Sequence, residues 1–186
     1  LYRLDKCRKE SCQTIRYKSS GMKDRIIIRH SETTDLPRMK EIFNIARQFM
    51  IESGNPNQWV DGYPDEEFLR EDIEHGDSYV ILADGRIVAT FVLRAGKDPT
   101  YDVVYDGEWL NDEPYATIHR IAASGEVRGI MHAVMEYALE RFDNIRIDTH
   151  EDNKKMQHLI MKEGFRYCGI IRCWSGAYRL AYQRIK

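Results

Sequence analysis

The sequence predicts a single α/β (α+β) domain built on a mixed central sheet. The chain has 186 residues, enough for one domain with a substantial core and few for two. Its composition, 42% hydrophobic and 31% charged residues, is typical of a globular protein. Segments with strand and helix periodicity follow one another in the order β-α-α-β-β-β-α-β-α-β-β, which is the pattern of one mixed domain.

The first half of the predicted fold contains a strand, two helices and a hairpin. The strand is a β-branched run, the first helix has apolar residues at helical spacing, and the second opens with proline and acids and closes on glycine. The turn Asp84-Gly85 between two β-rich segments predicts the hairpin. The predicted elements are a strand at 25–30, helices over 36–49 and 64–76, and strands at 78–84 and 86–96.

The second half alternates strands with helices and ends in two strands. One helix has an apolar face that runs from Ile130 to Phe142. The next is capped by Asn153 and ends at Gly164, residues that suit a helix start and a helix stop. The predicted strands of this half are 114–124, 144–150, 165–171 and 177–185.

Charge and hydropathy exclude several classes of protein. The formal net charge is −2 and the sequence pI is near 6.3, so neither a nucleic-acid partner nor an anionic membrane is expected. No apolar run approaches the ~20 residues of a spanning helix, and no signal-peptide core is visible. We therefore predict a cytoplasmic protein. Residues 1–21 are basic and without periodicity, so we predict an extension outside the fold and a domain over 22–186.

Two groups of residues carry metal-ligating side chains, and neither predicts a metal site. The cysteine pairs are spaced too widely for a zinc motif, so unpaired thiols are the simpler interpretation. Adjacent residues at a strand end point in different directions, which argues against a shared ion. The cysteines are Cys7, Cys12, Cys168 and Cys173, and the second group is Asp148, His150, Glu151, Asp152 and His158.

The segment SGEVRG (124–129) connects a predicted strand to a predicted helix. Unpaired backbone N–H groups at a helix start carry a partial positive charge and bind phosphate readily. Gly125 and Gly129 would let the chain turn tightly and approach a ligand. A Walker loop is excluded because the GK[ST] ending is missing.

Two motifs together resemble the GCN5-related N-acetyltransferase (GNAT) family. EVRGIM (126–131) resembles the family's acetyl-CoA signature (Q/R)xxGx(G/A), with Gly129 matching and with Glu126 and Met131 departing from it. Asn153, followed by KEGF (162–165), resembles the second cofactor segment, in which an asparagine caps a helix that ends before a strand. The resemblance covers residues 25–186.

The resemblance implies a GNAT fold, with about four helices and a sheet splayed between its fourth and fifth strands. Acetyl-CoA would insert its pantetheine arm between strands 115–123 and 145–150, and the start of the following helix would hold its pyrophosphate. Arg128 is expected to offset the charge of Glu126, whose carboxylate would point to solvent. The residues implied to contact the cofactor are Ile121, Ala122, Ala123, Glu126, Val127, Arg128, Gly129, Ile130, Asn153 and Met156.

The implied activity is transfer of an acetyl group from CoA to a primary amine by direct attack in a ternary complex. The backbone N–H of Ile121 would polarise the thioester carbonyl. His119, two residues earlier and predicted on the same strand face, is the candidate base; the alternative is a histidine packed in the sheet. Ile160 stands where many members have a catalytic tyrosine. The acid would then be Tyr167, Cys168 or water.

The acceptor is expected to be a small-molecule or peptide amine, and a homodimer is expected because many members dimerise. Aromatic walls with a carboxylate suit a cationic amine, although loop aromatics also serve simply to cover a core. The residues that would form this wall are Trp59, Tyr63, Glu108 and Trp109. Two rival functions stay open: a GNAT-fold domain that binds CoA or a metabolite with little turnover, and a transferase that uses a longer acyl-CoA.

Overall fold

A computed structural model describes residues 13–16 and 25–186 of the chain. The strands are β1 (Gln13–Arg16), β2 (Arg25–His30), β3 (Ser78–Ala83), β4 (Arg86–Ala95), β5 (Ala116–Ala123), β6 (Asn144–Thr149), β7 (Arg166–Arg172) and β8 (Tyr178–Ile185). The α-helices of the described residues are α1 (Leu36–Glu52), α2 (Glu66–Glu74), α3 (Ile130–Leu139) and α4 (Lys154–Lys162). No helix among the described residues is long and apolar enough to cross a membrane.

The strands form one mixed sheet in the order β1-β2-β3-β4-β5-β6-β8-β7. Neighbouring strands run antiparallel except β5 and β6, which run parallel. A parallel pair needs a crossover connection, and α3 provides it. The predicted fold class, a mixed sheet with four flanking helices and a split between the two central strands, is confirmed.

Strand β1 lies within residues 1–21, the stretch predicted to be an extension outside the fold. Gln13–Arg16 pair antiparallel with β2, so these four residues add an edge strand to the sheet. Their β-rich letters, QTIR, are too few to show periodicity, which explains why the pattern gave no signal. Residues 1–12 and 17–24 lie outside the described residues.

Helices cover both faces of the sheet. On one face the apolar side of α1 packs with α2, with Trp59 and with Ala122 of β5. Its buried residues include Met39, Ile42 and Phe43. On the other face α3 and α4 close a larger core that includes Val134. We call these the α1/α2 face and the α3/α4 face. Each helix buries one apolar stripe, as the spacing of its apolar residues requires.

A long connection, residues 96–115, covers the part of the α1/α2 face that the helices leave open. Tyr101 and Tyr115 pack there on Ile171 and Ala181 of the last two strands. Arg146 of β6 is 4% exposed, and its guanidinium lies 4.0 Å from the ring centre of Trp109 and 3.9 Å from that of Tyr115. The connection is therefore fastened to the sheet by packing and by a buried cation, although it has little regular structure.

Candidate active site

The two parallel strands separate partway along their length. Pairing between β5 and β6 runs from Ala116 to Ile118 on β5 and from Ile145 to Ile147 on β6. Both strands continue past this point, to Ala123 and Thr149. Residues 119–123 thus lie on an edge of β5 that β6 no longer covers, and their backbone groups border a gap that opens toward the starts of α3 and α4.

A bulge in β5 lies at the point where the gap begins. Val92 of β4 pairs with His119, whereas Thr90 pairs with Ala122, so two residues of β5 oppose Phe91 alone. Arg120, in this bulge, has the left-handed φ of 50°. The bulge interrupts the alternation of side chains. Ile121 packs with the core of the α3/α4 face, while His119 contacts the long connection on the other face. The expectation that His119 and Ile121 share a face was wrong for this reason.

The bulge is held by a buried ion pair. The guanidinium of Arg120 donates to Oδ1 of Asp72 in α2 at 2.6 Å and to the hydroxyl of Tyr63 at 2.8 Å. Burial opposes the charge of Arg120, but Tyr63 and Asp72 outweigh it and raise its pKa. Arg94 of β4 shares the same carboxylate oxygen at 3.1 Å. The left-handed backbone of Arg120 is thus held in place through its side chain, by one charged and one neutral hydrogen-bond partner.

His119 lies between two carboxylates at the mouth of the gap. Its Nε2 is 3.0 Å from Oδ2 of Asp98, which is in the long connection. Its Nδ1 is 3.8 Å from Oδ1 of Asp148, the first residue of β6 beyond the paired segment. Because an ionised carboxylate only accepts hydrogen bonds, Nε2 is assigned the hydrogen in the neutral ring. Nδ1 then carries the free lone pair and faces the Asp148 carboxylate.

The surroundings of His119 shift the pKa values of the Asp98 carboxyl and of the Tyr101 hydroxyl in opposite directions. Burial raises the pKa of the Asp98 carboxyl, but hydrogen bonds from His119 and Thr100 outweigh it and lower the pKa to about 2. The Tyr101 hydroxyl donates to Oδ1 of Asp148 at 2.6 Å. Burial, and then the Asp148 carboxylate, raises the pKa of Tyr101 well above its usual value, so this hydroxyl stays protonated. The site combines an imidazole, two acceptors and one fixed donor.

The start of α3 lies at the open end of the gap. Gly129 is its N-cap with φ 80°, a conformation that favours glycine, and no side chain caps the helix. The carboxylate of Glu126 is 2.8 Å from Arg38 of α1 and 3.9 Å from Arg86. A hydrogen bond with Ser124 and the pair with Arg38 lower the pKa of Glu126. Arg38 and Arg86, rather than the expected Arg128, offset this charge. Val127 is half-buried, and Arg128 is exposed.

The start of α4 is capped as the sequence predicts. Oδ1 of Asn153 accepts from the N–H of Met156 at 3.0 Å. Its Nδ2 donates to Gln58, in the loop after α1, at 2.8 Å. Later in α4, Ile160 is fully buried in the core, so this position offers no polar group where the resemblance implies a tyrosine.

The structure does not bring Tyr167 to this site. It lies on β7, and β8 separates that strand from β6. Tyr167 pairs with Tyr182, whose side chain is in the core of the α3/α4 face, so it also lies on the face opposite His119. Cys168 is on the same outer strand, and burial raises its thiol pKa. Register and strand order are not visible in the sequence, so the sequence alone could not separate these two residues from the site.

The four residues predicted to form the acceptor wall occupy separate environments. Trp59 is 9% exposed and packs edge-on against Phe43 at 5.5 Å, so it is a core residue. Tyr63 accepts from Arg120. Trp109 stacks on Tyr101 at 5.5 Å and is partly covered, whereas Glu108 is exposed. The tryptophans therefore serve packing, which corrects the expectation of an open aromatic wall.

Several residues of the site were not singled out by the sequence. Asp98 and Tyr101 come from a connection without periodicity, and only their long-range contacts place them beside His119. Asp148 stands in the sequence among other residues with metal-ligating side chains, so nothing local distinguishes it. Within the described residues no group of three metal-ligating side chains lies close enough to hold an ion.

Comparison with known proteins gives a consistent picture. The family model described as "Acetyltransferase (GNAT) family" matches residues 39–165. A GNAT-family acetyltransferase from Streptococcus agalactiae 2603 is 33% identical, with a TM-score of 0.76 over 87% of this chain and 95% of that chain. One from Listeria monocytogenes 4b F2365 is 18% identical, with a TM-score of 0.69 over 94% of this chain and 100% of that chain.

A third solved structure is RimJ from Mycobacterium smegmatis, in complex with CoA-disulfide. It is 16% identical, with a TM-score of 0.54 over 87% of this chain and 82% of that chain. At this identity, as for the Listeria protein, the similarity concerns the fold. No curated protein sequence matches the chain.

Proposed function

Because this chain belongs to the GNAT acetyltransferase family, we propose that it is an N-acetyltransferase that transfers an acetyl group from acetyl-CoA to a primary amine. Membership implies acetyl-CoA-dependent acyl transfer. The observation that carries the rest of the proposal is the position of His119. It lies between Asp98 and Asp148 at the point where β5 and β6 separate.

The gap has features that suit a CoA molecule. The unpaired edge of β5 offers backbone groups of Ile121 and Ala123 to an amide-bearing arm, as a partner strand would. The start of α3 has no side-chain cap, so its first N–H groups and its dipole favour a pyrophosphate. A side chain at Gly125 would meet no atom within 4 Å, which leaves room for a ligand beside the turn. The pairing of Glu126 with Arg38 lowers the repulsion that this acid would exert.

In this proposal acetyl-CoA supplies an activated acetyl thioester, and residues of the chain bind and orient it. The backbone of Ala122, the segment Glu126–Ile130 and Asn153 would hold the cofactor, and the N–H of Ile121 would donate to the thioester carbonyl. Residues on the α1/α2 face would hold the acceptor, since His119 is on that face.

His119 would act as the general base. Its Nδ1 takes a proton from the ammonium form of the acceptor, and the Asp148 carboxylate at 3.8 Å stabilises the imidazolium that forms. Asp98 holds the ring through Nε2. The two carboxylates also attract a cationic amine before it loses its proton. Attack of the neutral amine on the thioester carbonyl would form the C–N bond and break the C–S bond. The departing sulfur would take the proton held by His119, and the nitrogen would release its second proton to solvent as the amide forms, so the mechanism does not depend on a tyrosine at position 160.

The proposal also includes the acceptor class and the oligomeric state that the family resemblance implied: a small-molecule or peptide amine as acceptor, and a homodimer. A cytoplasmic location and a domain spanning residues 22–186, with β1 added to it, belong to the same proposal.

One observation favours a second candidate function, CoA binding with little turnover. Ile160 is fully buried where a catalytic hydroxyl is often found, and Tyr167 lies on the far edge of the sheet. If this function holds, acetyl-CoA will raise the melting temperature while no amine causes release of free thiol.

The experiment that separates the two functions measures free CoA thiol with acetyl-CoA and a panel of amines and basic peptides. We expect thiol release with at least one acceptor and an increased melting temperature with CoA alone. If CoA gives no stabilisation, the cofactor assignment is wrong. If CoA stabilises the protein and every acceptor fails, the binding function replaces the catalytic one.

A further inference from the structure

The loop 53–59, which we call the bridging segment, spans the gap between β5 and β6 on the α1/α2 face. Two neighbouring residues at the end of this segment reach opposite sides of the gap. Trp59 belongs, with Met50 of α1, to the same buried cluster as Ala122, in the unpaired half of β5. Gln58 contacts Thr149, the last residue of β6, and Asn153, the N-cap of α4. A molecule in the gap would therefore lie against this segment.

Gln58 is the centre of the contacts that fasten the segment. Its Oε1 accepts from Nδ2 of Asn55 at 2.8 Å and from Nδ2 of Asn153 at 2.8 Å, with Oγ1 of Thr149 at 3.5 Å. Its backbone oxygen accepts from Arg179 of β8 at 3.3 Å. An amide oxygen has two lone pairs, so the two short bonds use its accepting capacity fully.

The orientation of these amides follows from the network. Oδ1 of Asn153 is occupied by the N–H of Met156, so its Nδ2 must face Gln58. Gln58 must then present its oxygen, and Asn55 must present its nitrogen. Asn55 is 2% exposed, so this arrangement is enclosed by the protein and does not exchange freely with water.

We propose that Gln58 is a positioning residue that sets the width of the gap and the orientation of Asn153. Through its hydrogen bonds it connects the bridging segment, on the α1/α2 face, to the end of β6 and to the N-cap of α4. The inference rests on the proposed function, since it takes the gap as the place of the CoA arm. Loss of the Gln58 oxygen would let β6 and α4 shift away from the bridging segment.

The test compares binding of CoA with binding of adenosine 3′,5′-bisphosphate, which lacks the pantetheine arm, by calorimetry. In Gln58→Leu, loss of two hydrogen bonds should lower the affinity for CoA about tenfold and change the affinity for the bisphosphate less than about twofold. Gln58→Glu keeps an accepting oxygen and should recover most of the CoA affinity. Asn57→Ala, an exposed neighbour in the same segment, is the matched control and should bind CoA as the wild type does.

A double-mutant cycle tests the link to Asn153. Asn153→Ser keeps a helix cap while it removes the Nδ2 donor. If Gln58 acts through Asn153, the CoA affinity of Gln58→Leu with Asn153→Ser should equal that of the weaker single variant, within about twofold. If Gln58→Leu does not fold, Gln58→Ala takes its place in both experiments.

Equal weakening of CoA and the bisphosphate in Gln58→Leu would mean a general structural defect and would overturn the proposal. Unchanged CoA affinity, or additive losses in the cycle, would overturn it as well. Each of these results leaves the proposed function standing. A wild-type protein that binds no CoA would overturn both, whereas absence of thiol release alone would count only against the catalytic function.

Discussion

The guanidinium of Arg38 in α1 lies 2.8 Å from the carboxylate of Glu126, which is 88 positions away in the sequence and just before α3. The same arginine donates through Nε to the backbone oxygen of Ile87 at 3.0 Å. Arg38 thus holds an acidic side chain close to a helix start that the family uses for an anion. The pair counteracts the most evident departure of this chain from the family motif.

Removal of Arg38 should weaken CoA binding through Glu126. In Arg38→Ala the carboxylate loses its nearest counter-charge, and its repulsion of a pyrophosphate should raise the CoA dissociation constant about threefold at low salt. Calorimetry at low and high ionic strength measures the effect, which should shrink at high salt because both groups are partly exposed.

The double variant Arg38→Ala with Glu126→Gln provides the control for this prediction. It should bind CoA as tightly as the wild type does, since the uncompensated acid is gone. If the double variant stays as weak as Arg38→Ala, Arg38 acts through α1 and Ile87 and not through charge.

Substitution of His119 should lower turnover in a pH-dependent way. We expect His119→Ala to lose about 10²–10⁴-fold in kcat/KM near neutral pH, because the acceptor must then lose its proton to solvent. The loss should diminish at high pH, where the free amine is already abundant. His158→Ala, on the exposed side of α4, is the matched control and should keep wild-type activity. An equal loss at every pH would show that His119 serves packing.

The Asp98 carboxylate should make the protein more sensitive to acid. Its pKa is lowered from 3.8 to about 2 in the folded state, so it stabilises the fold above pH 3.8. That stabilisation, about 2 kcal/mol, is lost as the pH falls from 3.8 to about 2, because the Asp98 carboxyl binds a proton more readily in the unfolded chain. Denaturant unfolding of the wild type and of Asp98→Asn between pH 6 and about pH 2 measures it.

Asp98→Asn should show a flatter dependence of unfolding free energy on pH than the wild type. The comparison matters because other carboxylates also titrate in acid, and only the difference between the two proteins reports on position 98. Parallel curves would contradict the contribution assigned to the Asp98–His119 pair.

Arg146 should be essential for holding the long connection against the sheet. Its guanidinium lies between Trp109 and Tyr115 and donates to the backbone oxygen of Asn111 at 3.0 Å. Arg146→Met keeps the length of the side chain but loses the cation–π contacts and this bond, so we expect about 2–3 kcal/mol lower stability. Urea unfolding measures the loss, and faster tryptic cleavage after Lys97 would report on the connection itself. Arg166→Met, on an exposed position of β7, should leave both measurements unchanged.

The sequence was sufficient for the elements whose signal is local. The strand at 25–30 was predicted with the bounds that the structure has, and the other elements differ by a few residues at their ends. Periodicity, caps and the Asp84-Gly85 turn depend on residues that are close in the sequence, so they can be predicted without knowledge of the fold. Asn153 is an example, because a helix cap depends on bonds to residues within one turn.

The site was predicted less completely because its geometry depends on contacts between distant segments. The bulge at Arg120 leaves no pattern in the letters, since it is fixed by Asp72 and Tyr63 from another part of the chain. It reversed the relation between His119 and Ile121. In the same way, the packing of the connection on β7 and β8 decides that Asp98 reaches His119.

The close contact between the connection and β7 has a further consequence. Tyr105 and Ile170 exchange two backbone hydrogen bonds of 2.8 Å, and a side chain at Gly107 or Gly169 would collide with backbone oxygen atoms at 2.2 and 2.6 Å. An outermost strand with free N–H and C=O groups is a template for unwanted addition of a strand from another molecule. Here the protein's own chain occupies part of that template. Glycine at 107 and 169 allows this close approach, so we expect a bulkier residue at either position to uncover the edge of β7 and to increase aggregation.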